Sequence, residues 1–381
     1  MHCGSIPTRY SIGIMIYMCV LVSYTMRVNL SVNIVEMVPV VANGTDTEEK
    51  ETLGWSAYER ATVLGGYSWG YIASNILGGL VVQKLGPRNT VILGQLGASI
   101  LTFLCPYFAK ISFLAMTIAR IALGFLSGFL FPAATGLIAN WAVPNERGKF
   151  TSAMIGGTIG TVVAWSSLGV LIENYGWEWG FYSFAIVGVI FCLPWAYIVY
   201  DNPYDHPRIE ETERQFISDG IPKNDRPKPI PPFLRIVTNI PWLAGTILLF
   251  GNSWGIYFIQ NATPMFIANV LQYKLGSTGL ISSLTYIIRS FANLMFGFFV
   301  FGMGNGIGAI AGILTPLVVA HFTKDDETSL ESWKPVFYIG SGMYVLSAII
   351  FILFGSTKVQ AFNEITYHDN PEEAKEKKQD K

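Results

Sequence analysis

Thr117–Gly136, TIARIALGFLSGFLFPAATG, decides how the rest of the chain is read. Apart from Arg120 it is apolar or small throughout, and it has the length of a helix that crosses a bilayer. An arginine at that depth is costly unless it faces water or a partner. No Asp or Glu lies three or four residues away to neutralise it on its own helix.

Working outward, similar uncharged runs recur at Ala61–Gln83, Asn89–Ala109, Phe150–Ile172, Trp179–Tyr200, Ile236–Tyr273 and Pro335–Thr357. The 381 residues are 51% hydrophobic and 13% charged, against about 25% charged in a soluble domain. The runs are rich in Leu, Ile, Phe, Gly and Ala and show no period-two alternation, which favours helices over a β-barrel. The chain therefore reads as an all-α, polytopic membrane protein. A net charge of −1 offers no basic surface to nucleic acid.

Ten spans are expected, near 11–37, 58–83, 88–108, 112–140, 150–172, 180–200, 241–267, 277–300, 303–322 and 335–356. Ser11–Met26 has the look of a signal peptide, but the apolar pattern continues through RVNLSVNIVEMV without a small-residue cleavage site. An even number of spans puts both termini on one side. Lys and Arg concentrate on that side, which makes it cytoplasmic by the positive-inside rule. The loop at 201–240 divides a six-helix half, 1–200, from a shorter half, 241–358, followed by a mixed-charge tail, 359–381. Within that loop IEETERQFISDG reads as a short surface helix and IPKNDRPKPIPP as an extended linker.

The first outside loop offers the sequon Asn43-Gly44-Thr45, a glycosylation candidate. Two further matches, at Asn29 and Asn261, fall within spans and are expected to stay unmodified. Cys3, Cys19, Cys105 and Cys192 have neither disulfide-framework nor metal-ligand spacing. The isolated histidines likewise indicate no metal site, and no nucleophile–base constellation points to an enzyme.

Between Gly276 and Thr323 the only charge is Arg289, in a run far too long for one helix. FFVFGMGNGIGAIAG must then turn near Gly302–Gly306 with no basic loop at its cytoplasmic end. Other cytoplasmic connections each carry at least two Lys or Arg.

Several stretches carry a resemblance to a known family. They are RVNLSVNIVEM in the first span, YSWGYIASNILGGLVVQKLGPR in the second, and RIALGFLSGFLFPAATGLIANWAVPNERGKF in the fourth. GWEWGFYSF, YDNPYDHPRIEETE, NSWGIYF, GNGIGAIAGILTP and SWKPVFYIG follow in order. Together they resemble the major facilitator superfamily and, within it, the anion:cation symporter family of sialin, vesicular glutamate transporters and sodium–phosphate cotransporters. GLIANWAVPNERGKF is most similar to insect members described as inorganic phosphate cotransporters. The resemblance implies twelve spans. Aligned by motif, the ninth and tenth have no counterpart here, so the second half is incomplete.

What the residues could do follows from their chemistry. Arg27, in the first span, also lacks a local acidic neighbour. Two unpaired guanidinium groups facing one cavity would bind an anion, since Arg forks match carboxylate and phosphate oxygens. The competing reading is that Arg120 snorkels or bonds backbone carbonyls. The resemblance implies that both arginines line the central cavity. Arg120, Gly124 and Gly128 place small residues on one stripe, allowing close helix approach. Trp254 and Tyr257, near Asn252 and Asn261, either cap a substrate or pack against neighbouring helices. Arg88, with Lys84, is expected to anchor helix ends, and Glu146 with Arg147 resembles a gating pair at the cytoplasmic mouth.

Departures from the family pattern bear on coupling. Where relatives carry a proton-linked glutamate the chain has Ser127, and Thr135 replaces a histidine. Asn252 stands where glutamate transporters carry an arginine. Glu36 is left as the nearest carboxylate for proton coupling, whereas Asn29, Asn33, Ser127 and Thr135 offer neutral oxygens for sodium.

The expected function is Na⁺- or H⁺-coupled transport of inorganic phosphate or a small organic anion by alternating access, with no cofactor. The alternative is a transport-incompetent form that lacks two helices and acts on its full-length counterpart. The expected setting is a monomer in the plasma membrane or an endolysosomal vesicle membrane.

Overall fold

The computed structural model describes residues 7–38, 53–221, 238–296 and 310–355. Among these it is helical throughout, with no strand. The expected Asn43 sequon, most of the proline-rich linker and the junction near 298–304 lie outside the described residues, as does the Arg289 side chain.

The first half contains α1 (Thr8–Met37), α2 (Ala57–Leu85), α3 (Pro87–Ile111), α4 (Phe113–Gly128) and α5 (Leu130–Trp141). It continues with the short α6 (Arg147–Ser152), then α7 (Gly156–Tyr175) and α8 (Trp177–Ile198). α9 (Glu211–Gly220) follows in the connecting loop, where the sequence predicts a surface helix. The second half supplies α10 (Ile240–Asn269), α11 (Leu275–Phe296), α12 (Ile310–Thr323) and α13 (Leu330–Phe354). Among the described residues, seven helical segments are long and apolar enough to cross a membrane. α4 with α5, and α6 with α7, each make one of these segments. α2 is also long, but its central Gly, Ser, Tyr and Asn residues lower its hydropathy, while α12 and the described apolar part of α11 are shorter.

Local chemistry sets the boundaries. Ser56 and Glu59 form a reciprocal capping box at the start of α2. The α2–α3 turn runs through Gly86 at φ 77°, and Pro87 opens α3, where a missing N–H costs nothing. The expected fourth span is broken at Phe129 into α4 and α5. Pro132 explains the position, since it cannot donate to the carbonyl four residues back, that of Gly128, and its ring crowds that carbonyl. The expected fifth span is likewise interrupted, by a 3₁₀ turn at Ala153–Ile155 ahead of Gly156.

α1 is buried on most of its circumference, as expected of a helix apolar all round that runs through the middle of a bundle. α2 and α4 approach closely. A Cβ on Gly124 would lie 1.9 Å from the Tyr67 carbonyl oxygen, and one on Gly70 would lie 1.8 Å from that of Ile121. This is the close approach that the Arg120–Gly124–Gly128 stripe predicts.

The halves meet where α2 faces α12, α7 faces α11 and α1 faces α10. Gly65 lies against Ile313, Gly279 against Trp165, and Arg27 reaches Tyr257. These contacts lie between mid-bundle and the end at which α2 begins.

Candidate substrate site

Arg27, Arg120 and Tyr257 line one cavity, together with Ser31, Tyr67, Ser68, Gln260 and Asn261. It holds about 20 Å³ of water-accessible space, enough for a water molecule but not for a phosphate. None of the residues lining it is Asp or Glu.

The two arginines are held differently. Arg27 is half-buried and donates from Nη2 to the Tyr257 hydroxyl at 2.7 Å, across the junction between halves. Four tyrosine rings surround its guanidinium, with centroids at 5.1 Å for Tyr24 and 5.2 Å for Tyr67, Tyr71 and Tyr257. Each ring face offers a cation about 0.5–2 kcal/mol of attraction. Arg120 is 3% exposed and makes one hydrogen bond, from Nη2 to the Arg27 carbonyl at 3.1 Å. Its Nε and Nη1 have no partner. The carbonyl contact anticipated by the structural reading of Arg120 is therefore present, but it uses only part of the fork. Two buried charged donors thus remain without a protein partner, a costly arrangement that an anion would relieve.

Tyr257→Phe should remove the 2.7 Å bond while keeping the ring beside Arg27. A hydrogen bond to a charged group is worth about 1.5–3 kcal/mol. The expected result is a thermal midpoint lower by a few degrees, read by unfolding in detergent.

The remaining expected residues scatter. Asn252 does not line the cavity, because it lies five residues before Tyr257 and so on a different helix face. Ser127 is buried beside the Tyr67 hydroxyl. Asn29 and Asn33 are fully buried, and their amide atoms have no hydrogen-bond partner. Asn33 packs on Gly180 near the start of α8, whereas Thr135 is exposed, donates to the Pro132 carbonyl and adjoins the α2–α3 turn end. Asn33 and Thr135 thus lie at opposite ends of the bundle, so the four side chains proposed for sodium form no single shell. Glu36 is half-buried in the last turn of α1.

At the end where α1 begins, the ion pairing differs from the Glu146–Arg147 pair expected. Glu146 accepts from Arg9 Nε at 3.0 Å and from the Tyr10 hydroxyl at 2.8 Å, while Arg147 is exposed. The reason is α9, whose buried Glu213 accepts from the Thr8 and Arg9 amides and from Arg9 Nη1. A carboxylate at a helix N-terminus satisfies orphan donors and the positive end of the helix dipole. Arg9 is thereby drawn between two carboxylates.

Arg88 fastens α3 to the end of α8. Its amide donates to Asp201 at 2.6 Å, its guanidinium reaches the Ala196 carbonyl, and Trp195 donates to the Arg88 carbonyl at 3.2 Å. Asp201, Glu213 and the tyrosine cage did not stand out in the sequence. For the cage a signal existed, since Tyr24 with Arg27 and Tyr67 with Tyr71 have the spacings that share a helix face.

Comparison with known proteins bears on this geometry. A family profile described as Major Facilitator Superfamily matches residues 16–301. Vesicular glutamate transporter 1 of Bos taurus is 26% identical over 460 aligned residues, covering 99% of this chain and 81% of that protein. An uncharacterized transporter of Caenorhabditis elegans, slc-17.2, is 26% identical over 472 aligned residues, covering 96% of this chain and 95% of that protein. Both alignments are longer than the chain's 381 residues, so each relative contains segments with no counterpart here. The profile match also stops within the stretch where two spans are missing by motif. Solved structures share the fold. A bacterial homolog to human lysosomal transporter Spinster, inward-facing and occupied, has a TM-score of 0.65 at 11% identity, over 92% of this chain and 97% of that one. The xylose transporter XylE from E. coli, partially occluded and inward open, has a TM-score of 0.58 at 13% identity, over 91% and 99%.

Proposed function

The chain belongs to the Major Facilitator Superfamily, and on that premise we propose that it binds inorganic phosphate or a small organic anion at Arg27 and Arg120 and carries it by alternating access. The observation that supports this most directly is the pair of unmatched Arg120 donors beside Arg27, in a cavity without a carboxylate. Taking the basic face as cytoplasmic, the contacts between halves close the outer side of the site. The cavity must widen before a substrate fits, which is what rocking of the halves would accomplish.

The vesicular glutamate transporters among its relatives support an anion as cargo. Asn252 in place of an arginine, and Ser127 and Thr135 in place of a glutamate and a histidine, favour phosphate or a simple carboxylate over glutamate. The transporter acts as a monomer in the plasma membrane or an endolysosomal membrane. Its driving ion is H⁺ through Glu36, or Na⁺ at a site that uses Asn29 and Asn33 without Thr135.

Uptake of labelled phosphate into proteoliposomes, with and without sodium and across a pH series, tests the reading. Saturable uptake that responds to one of the two ions is expected. Indifference to both would reject symport. A second reading rests on the length of the alignments: a form without the ninth and tenth spans would bind the anion yet carry little of it. Saturable binding without uptake is its signature. Absence of binding by phosphate and by small carboxylates rejects both readings.

A further inference from the structure

One helical turn before Leu64, near where α2 begins, a buried ion pair joins the two halves. Arg60 of α2 and Glu327, in the connection between α12 and α13, form an ion pair through Nη2 and Oε1. The residues are only 6% and 7% exposed. Glu327 is also held from two other directions. Asn269, at the end of α10, donates to Oε2 at 3.3 Å, and Trp333 of α13 donates to the Glu327 carbonyl at 2.9 Å. Trp333 is itself fully buried, against Phe266 and Phe337. The connection is therefore fixed by α10 and α13 of the second half, and its carboxylate reaches the first half. Beside the pair, Tyr58 of α2 meets His321 of α12 at 3.2 Å.

A buried ion pair is a poor source of stability, because desolvation offsets the attraction. It is a good discriminator between two states, because separating the partners into water recovers that hydration. This pair lies in contact with a small, largely apolar cavity lined by Ala61, Leu64, Met265 and Val319, and Leu64 also lines the arginine cavity. Asn261 likewise lines both cavities, so the pair borders a space adjacent to the arginines.

We propose that Arg60–Glu327 is the bolt of the outer gate, closed in the state described here and opened when the substrate site faces outward. Asn269 and Trp333 are positioning residues that hold the carboxylate in register. The proposal rests on alternating access as the working mode, but its test does not require transport.

Leu64→Cys, made in a chain with Cys3 replaced by serine, is labelled from outside sealed cells with a membrane-impermeant maleimide. Slow labelling is expected with the bolt intact. Arg60→Ala and Glu327→Gln should each raise the rate about tenfold or more, and the exchanged pair Arg60→Glu with Glu327→Arg should restore slow labelling. Glu327→Gln keeps an acceptor for Asn269, so it guards against a folding defect in the alanine variant. Equal labelling in parent and both single variants would overturn the bolt, whatever the uptake. Rapid labelling that the exchanged pair fails to slow would overturn it as well. Faster labelling in a chain that binds no anion would leave the gate standing and reject the substrate assignment.

Discussion

Arg120→Gln should abolish anion-dependent stabilisation of the purified protein while leaving its intrinsic stability unchanged or raised. The two halves of this expectation have separate causes. Arg120 is buried and makes one hydrogen bond, so in the empty site it carries a desolvation penalty with little to offset it. Glutamine removes the charge and most of that penalty. In the occupied site the same unmatched donors hold the anion, and truncating a buried charged partner weakens binding by about 2–5 kcal/mol, roughly thirtyfold to several-thousandfold in affinity.

Thermal unfolding in detergent, with phosphate titrated against chloride, reads both quantities. Stabilisation grows with ligand over its dissociation constant, so a loss of that size is visible as a lost shift. A variant that kept the phosphate shift would end the assignment. A variant that unfolded readily would show Arg120 to be structural, bonded mainly to the backbone. Arg27→Gln should behave in the opposite way without ligand, because Arg27 is already satisfied by Tyr257 and four rings.

The second large effect is expected at Gly124. Alanine there would place Cβ 1.9 Å from the Tyr67 carbonyl oxygen, a backbone atom that cannot rotate away. α2 and α4 would have to separate, losing packing that supplies most of the association energy of helices in a bilayer. We expect a loss of about 3–4 kcal/mol, seen as a collapse of the monodisperse peak on size exclusion. The displaced residue is Tyr67, whose ring faces both Arg27 and Arg120. Any surviving protein should therefore bind anions poorly. Gly79→Ala is the control, since nothing lies within 4 Å of the added carbon, and it should be indistinguishable from the parent. Comparable yields for the two variants would refute the close-packing account.

The sequence by itself determined the all-helical, polytopic character of the chain, the short loop helix and the α2–α4 seam. Each follows from local patterning: uncharged runs of bilayer length, a polar amphipathic segment, and small residues four apart. It also marked Arg27 and Arg120 as linked, because an unneutralised cation in a bilayer has few acceptable surroundings. Tertiary structure alone decided the partners. Glu146 meets Arg9 and not its neighbour Arg147, because Glu213 arrives from α9 some two hundred residues along the chain. Arg60 finds Glu327 over a still longer separation. Asn33 and Thr135, alike as oxygen donors, end at opposite faces because their helices run antiparallel. Helix propensity and hydropathy act over a few residues, whereas charge pairing in a low-dielectric interior is settled by which helices pack together.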